Sequence, residues 1–383
     1  MKFLVQLVLA LIVIAPAVAQ DLPMRRVKAD NYPYLTPVVI ARTSTAVFSE
    51  QAKLLAFAHE PLQQNDISIF ALDDSGTPSV TPIAQIVLPA VAALKDRDNY
   101  PLDIRLHPRL PILYVFRDVK KSADADAPLE AVYETLPRVL VYGIEPTGAK
   151  LLQSLCPGSL FWKGSAVGFL QLDSDAKRLY VSNLLRGEPG NQEYGIAYLD
   201  VGADGLIKLT ADKQPSMKQF FAANFYTGNC TGGIEIISDD TIIWSSMGGP
   251  TTAKLTEPDC TTHYVWLWPP RYRKRIALHP TLPVMYFSNI GEAYVQMIEH
   301  AAGYPTMMPT YASVSGPMSP PVVMAKHNFV AMGGKNFVNL LCIDAQGRYT
   351  GEIHYVNVKD PDVRAVAYSP KFDRLYVSEE PSP

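Results

Sequence analysis

Apolar and polar positions alternate with a period of two through most of the chain, in short runs cut by Gly, Pro and Asp. That period belongs to β-strands, whose side chains point to opposite faces in turn. The runs also repeat. HPRLPILYVFRD from His107, DSDAKRLYVSN from Asp173, HPTLPVMYFSN from His279 and SPKFDRLYVSE from Ser369 each set an aromatic seven residues after a turn residue: Tyr114, Tyr180, Tyr286 and Tyr376. SEQAKLLAFAHE from Ser49 keeps the register with Ala56 in the slot, and SDDTIIWSS with Trp244 and KHNFVAMGG with Phe329 are weaker copies. The copies recur at a mean spacing of about 53 residues.

An alternating strand precedes each anchor, as in residues 102–106 and 364–368. A third strand follows the first six, as in residues 67–70 and 139–142, and often ends in an acidic-to-glycine turn such as Asp73-Asp74-Ser75-Gly76 or Asp344-Ala345-Gln346-Gly347. A fourth strand follows, as in residues 83–88 or 349–355. Such a unit cannot bury both faces alone, whereas radial stacking covers the faces and ring closure protects the edges. The pattern predicts an all-β fold, a seven-bladed β-propeller with four-stranded blades, as one domain over residues 20–383. The seventh copy stops at Pro383 after its second strand, so Pro37-Val38-Val39-Ile40-Ala41 is expected to complete that blade and fasten the ring.

The turn-plus-LYVSN motif resembles the YVTN-repeat propellers, related to the bacterial lactonase-type propellers. It does so through residues 102–118, 168–183, 275–289 and 365–379. The resemblance implies the propeller fold, in a group that includes lactone hydrolases, surface proteins and binding modules. Hydrolytic members carry a Pro-Arg-His-type signature at the start of inner strands; here Arg105 and His107 stand in an inner strand and its turn with different spacing.

MKFLVQLVLALIVIAPAVAQ reads as an export leader over residues 1–19, with Lys2, an apolar run and a small-residue site at Ala17-Val18-Ala19. The expected location is periplasmic or secreted. A net charge of −3 gives no basic surplus for phosphate, which argues against a nucleic-acid partner. No cysteine spacing fits haem attachment or structural zinc, and no P-loop, GxGxxG or GxSxG occurs, so no cofactor is expected. In an oxidising compartment Cys230 and Cys260 are expected to form a disulfide, closing a loop of about 30 residues worth roughly 3–4 kcal/mol. Cys156 and Cys342 are read as free and buried.

Candidate chemistry gathers on one rim. In a propeller the turn between the second and third strands lies on the upper face, where loops bind ligands. His59, Glu60, Arg117, Asp118, Asn183, Arg186, Asn289, Lys335 and Glu379 fall after second strands, and Arg275 and Arg364 near inner-strand starts. Acid–base work needs an imidazole or carboxylate held near the reacting group, so His59, Arg117 and Glu379 are the catalytic candidates and the others ligand-binding ones. His107 and His279 read either as a ligand pair or as turn residues bonding the backbone. The first functional reading is a binding or scaffold module for a protein or a small polar ligand. The alternative is a lactonase- or lyase-type enzyme acting on a small polar ring at the channel mouth.

Overall fold

The computed structural model describes residues 21–22, 24–29, 32–40, 43–59, 66–89, 99–119, 138–155, 169–186, 193–222, 230–246, 250–255, 261–264, 274–289, 294–301, 304–305, 310–314, 319–359 and 362–379. The leader, Glu60, Cys156 and Cys260 lie outside the described residues, as does the side chain of Cys230, and with them the expected disulfide.

The first described elements are three short strands, β1 (Asp21–Leu22), β2 (Arg25–Lys28) and β3 (Leu35–Val39). Blade 1 follows as β4 (Thr43–Ser49), β5 (Leu54–His59), β6 (Ile67–Ala71) and β7 (Ala84–Ile86). Blade 2 is β8 (Asn99–Leu106), β9 (Ile112–Val119), β10 (Val139–Glu145) and β11 (Gly148–Leu155). Blade 3 is β12 (Leu170–Leu172), β13 (Arg178–Arg186), β14 (Glu193–Asp200) and β15 (Met217–Ala222). Blade 4 is β16 (Cys230–Ser238), β17 (Thr241–Ser246), β18 (Pro250–Lys254) and β19 (Thr261–Tyr264). Blade 5 holds β20 (Lys274–Leu278), β21 (Val284–Asn289), β22 (Tyr294–Ala301), β23 (Tyr304–Pro305) and β24 (Thr310–Ser313). Blade 6 is β25 (Val322–Met324), β26 (Phe329–Gly333), β27 (Phe337–Ile343) and β28 (Tyr349–Asn357); blade 7 has β29 (Val366–Ser369) and β30 (Arg374–Glu379). No helix among the described residues is long and apolar enough to cross a membrane.

Among the described residues the core falls into seven clusters, one at each blade-to-blade interface, including one that joins blade 7 to blade 1 through Val38, Leu55, Phe57 and Tyr376. Seven interfaces for seven sheets is the arithmetic of a closed ring. β3 pairs with β30 as the sequence predicts, in parallel register from Leu35 opposite Leu375 to Val39 opposite Glu379. The rest of the N-terminal segment goes elsewhere: β1 adds in parallel to β24 of blade 5, and β2 in parallel to β28 of blade 6. One strand per blade lets the segment cover three outer edges in succession, which blunts them against pairing with other chains.

The repeated aromatic stitches neighbouring blades. The phenols of Tyr114, Tyr286 and Tyr376 donate to the carbonyls of Gly205, Gly347 and Gly76, each in the next blade, at 2.8, 2.7 and 2.8 Å. Those glycines share φ of +78°, +79° and +77°, a conformation that only glycine adopts without strain. Two slots are corrected, the one in blade 4 by one residue and the one in blade 6 by two. Ile243, not Trp244, takes the slot of blade 4, while Trp244 packs back against Tyr180 of blade 3; in blade 6 the slot holds Ala331, with Phe329 at the strand start. A one-residue shift moves a side chain to the opposite face of the sheet.

His107 and His279 are turn residues. Each Nδ1 accepts two backbone N–H groups, Arg109 and Leu110 at 3.1 and 3.0 Å, and Thr281 and Leu282 at 3.3 and 3.1 Å. Asp173 and Ser369 take backbone N–H groups at the same turn in their own blades.

Candidate active site in the central channel

The innermost strands enclose a channel, and a cavity of about 370 Å³ lies in it, lined from residues 45–48 of blade 1 round to 366–368 of blade 7. Ladder register defines its tiers. Opposite the slot position, the inner strands place Val47, Arg105, Gln171, Glu235, Ala277, Val322 and Ala367 in blades 1 to 7. All seven line the cavity. Blades 2, 3 and 4 therefore make a polar arc, and the other four blades an apolar one.

The polar arc is hydrogen-bonded from end to end. Arg105 Nε donates to Gln171 Oε1 at 3.0 Å, and Gln171 Nε2 donates to Glu235 Oε2 at 3.0 Å. Arg105 Nη1 donates to Asp103 Oδ1 at 2.8 Å and to the Ile104 carbonyl at 2.7 Å. Asp103 is fully buried, and its other carboxylate oxygen accepts the Leu170 N–H of blade 3 at 2.9 Å. A buried carboxylate needs such partners, and here they also fix the guanidinium. Among the described residues Arg105 Nη2 and Glu235 Oε1 take no hydrogen bond, which leaves a donor and an acceptor for a ligand.

Irregular backbone aims these groups. The β8–β9 ladder shifts register between Pro101 and Asp103, and the β16–β17 ladder between Cys230 and Ile234, just before Glu235. Gly233, inside that second irregularity, has φ of +127°. Bulges of this kind re-aim side chains at the rims of functional sites. Burial raises the Glu235 carboxyl to about 7, helped by the charge of Asp103 and opposed by Arg105 and by the Gln171 hydrogen bond. A carboxyl tuned close to neutrality suits proton transfer.

The residues singled out from sequence lie elsewhere. His59 is buried, with Nε2 2.8 Å from Ser68 Oγ. Arg117 is buried and donates to the Pro89 carbonyl at 2.7 Å. Glu379 accepts the Lys359 N–H at 3.4 Å. None of the three is among the cavity-lining residues. Lys335 is exposed, and Arg364 pairs with Asp362 at 3.5 Å. Glu60 and the side chains of Asp118, Asn183, Arg186, Arg275 and Asn289 lie outside the described residues. Asp103, Gln171 and Glu235 were not apparent from sequence. A fixed offset is the signal that finds Gln171: the tier residue lies nine positions before the slot in blades 1, 2, 3, 5, 6 and 7, whereas Glu235 lies eight before Ile243 and Asp103 is two residues before the tier residue Arg105.

No family model and no curated protein sequence matches the chain. Solved structures do. A periplasmic gluconolactonase from Pseudomonas aeruginosa is 15% identical with a TM-score of 0.57, over 85% of this chain and 88% of that one. A protein assigned as a 6-phosphogluconolactonase from Bacteroides uniformis is 11% identical with a TM-score of 0.56, over 84% and 88%. One so assigned from Bacteroides fragilis is 12% identical with a TM-score of 0.53, over 86% and 89%. Identities this low speak for architecture: the chain has the seven-bladed β-propeller fold of the lactonase-like structures.

Proposed function

We propose that the protein is an exported lactone hydrolase that works in its central channel on a small polar ring. The observation that carries this reading is the hydrogen-bonded arc Asp103–Arg105–Gln171–Glu235, with one guanidinium N–H and one carboxylate oxygen left over for a ligand. The fold neighbours support it: one is named a periplasmic gluconolactonase and two are assigned as 6-phosphogluconolactonases. Enzyme thus stands ahead of binding module, the reverse of the order taken from sequence.

In this mechanism Glu235 Oε1 holds a water against the lactone carbonyl. The water oxygen attacks the carbonyl carbon, and its proton passes to Glu235. Arg105 Nη2 donates to the oxyanion that develops, contributing about 10²–10³ in rate. The ring C–O bond then breaks, and the leaving ring oxygen takes the proton back from Glu235. The product is the open hydroxy acid. Gln171 holds base and guanidinium at a fixed separation, and Asp103 keeps Arg105 in place. The apolar arc of Val47, Ala277, Val322 and Ala367 receives the carbon face of the ring.

The test is a pH-stat screen of γ- and δ-aldonolactones with the wild type, Glu235→Gln and Arg105→Met. Turnover by the wild type, reduced about 10²–10⁴-fold in Glu235→Gln, is expected. Hydrolysis of no lactone, or a full rate in Glu235→Gln, overturns the proposal.

A further inference from the structure

Away from the channel, in the outer half of blade 6, three side chains of metal-ligand type converge. Cys342 on β27 and Glu352 and His354 on β28 place a sulfur, a carboxylate oxygen and a ring nitrogen all within 4.8 Å of one another. Two features of the strands bring them together. Glu352 and His354 are two apart on one strand and so share a face. The β27–β28 ladder shifts register between Leu341 and Ile343, and Cys342 sits in that irregularity. His354 Nε2 lies 2.6 Å from Glu352 Oε1, a pair that could satisfy itself without a third partner. The pair leaves unexplained a free thiol turned onto the same face. Cys342 is half-buried, and the His354 and Glu352 side chains are 28% and 37% exposed, so an ion has a path in from solvent.

We infer that Cys342, Glu352 and His354 form a site for a divalent ion of the zinc type. A thiolate, an imidazole and a carboxylate together suit Zn²⁺ or Co²⁺ far better than Ca²⁺ or Mg²⁺, which take oxygen ligands. Bonds of about 2.0–2.3 Å put tetrahedral ligand atoms roughly 3.3–3.8 Å apart. The three atoms reach that spacing by side-chain movements of about 1 Å, in which the His354–Glu352 hydrogen bond opens and the sulfur moves in. Binding releases the thiol proton to solvent. Three protein ligands leave a fourth position for water.

The site has a structural consequence. β2 pairs with β28 across these residues, with Arg25 opposite Glu352 and Val27 opposite His354. An ion held between β27 and β28 clamps the strand on which the N-terminal segment docks. It therefore stabilises the fold, because binding to the folded state alone shifts the unfolding equilibrium.

The probe is Co²⁺, titrated into the reduced full-length protein, read by the thiolate-to-cobalt charge-transfer band in the near ultraviolet. One equivalent with that band is expected, displaced by Zn²⁺, together with a zinc-dependent rise in Tm. Cys342→Ser is expected to abolish the band, and Glu352→Gln and His354→Gln to weaken binding more than about tenfold. Cys156→Ser/Cys230→Ser/Cys260→Ser is expected to keep band and Tm shift, so binding at the other thiols is separable. Absence of the band in the wild type, or its survival in Cys342→Ser with unchanged stoichiometry, overturns the inference. Lactone turnover does not enter this test, so the two proposals stand or fall separately.

Discussion

The Tyr376 phenol donates to the carbonyl of Gly76 at 2.8 Å across a sequence separation of 300 residues. The same bond, tyrosine to the glycine carbonyl of the next blade, recurs at Tyr114 and Tyr286 between neighbours in sequence. The closing interface is therefore built with the same device as the internal ones. Its extra burden is entropic, since it joins the two ends of the chain. Tyr376→Phe strips the Gly76 carbonyl of that donor, at an expected cost of about 1–3 kcal/mol in urea unfolding. Tyr114→Phe is expected to cost a similar amount. Only Tyr376→Phe should speed hydrogen exchange at residues 35–40, because β3 is held at that seam by β30.

Lactone turnover should depend on pH through Glu235. The base works when deprotonated, and its carboxyl is raised to about 7. The rate is expected to climb as pH passes upward through about 7 and then level off. Arg105 pulls that value down, so Arg105→Met should move the midpoint higher as well as slow the reaction. A profile that is flat between pH 5 and 9, or an unmoved midpoint in Arg105→Met, contradicts the assignment (about two units either side of the midpoint).

The same group makes stability pH-dependent. A carboxyl at about 7 when folded and near 4.5 when unfolded binds its proton more tightly in the folded state. Folding is therefore penalised as pH rises from about 4.5 to about 7, and the penalty is constant above. Glu235→Gln removes it. The Tm advantage of Glu235→Gln over wild type should grow across that window and then hold steady; an advantage that shrinks over the window refutes it.

His107 and His279 act in the opposite sense. Burial lowers both, His107 further through Arg109, and each Nδ1 must stay unprotonated to accept its two backbone N–H groups. The unfolded chain thus takes up the protons more readily, so their contribution is present above the ordinary value of 6.5 and fades as pH falls below it. Asparagine bonds a turn backbone without titrating. His107→Asn should flatten the acid side of the stability profile between pH 6.5 and about 5. An acid slope equal to the wild type's would discard this account.

Local chemistry made the architecture readable. Alternation, the turn residues and the aromatic at a fixed offset are all short-range features, and each blade repeats them, so the number of sheets and the closing role of Val38 follow from the chain alone. Where the repeat is weak the reading slips by one pleat, as at Trp244, because one residue is enough to exchange the two faces of a strand. The parallel docking of β1 and β2 on blades 5 and 6 leaves no mark in the sequence, since backbone hydrogen bonds to an exposed edge ask little of the side chains.

The site is a matter of tertiary structure. Arg105, Gln171 and Glu235 each sit in an ordinary alternating strand, and nothing within reach in sequence pairs them. The ring sets three adjacent inner strands side by side at one height, and only there do residues 66 and 64 positions apart come within hydrogen-bond distance. Burial in that shared channel then shifts Glu235. The catalytic candidates chosen from sequence, His59, Arg117 and Glu379, stand one strand farther out, where His59 meets Ser68 of its own blade and Arg117 the Pro89 carbonyl of the preceding one. Sequence determined the repeating unit because its period is local; the channel chemistry was decided by closure, which brings distant strands to a common axis.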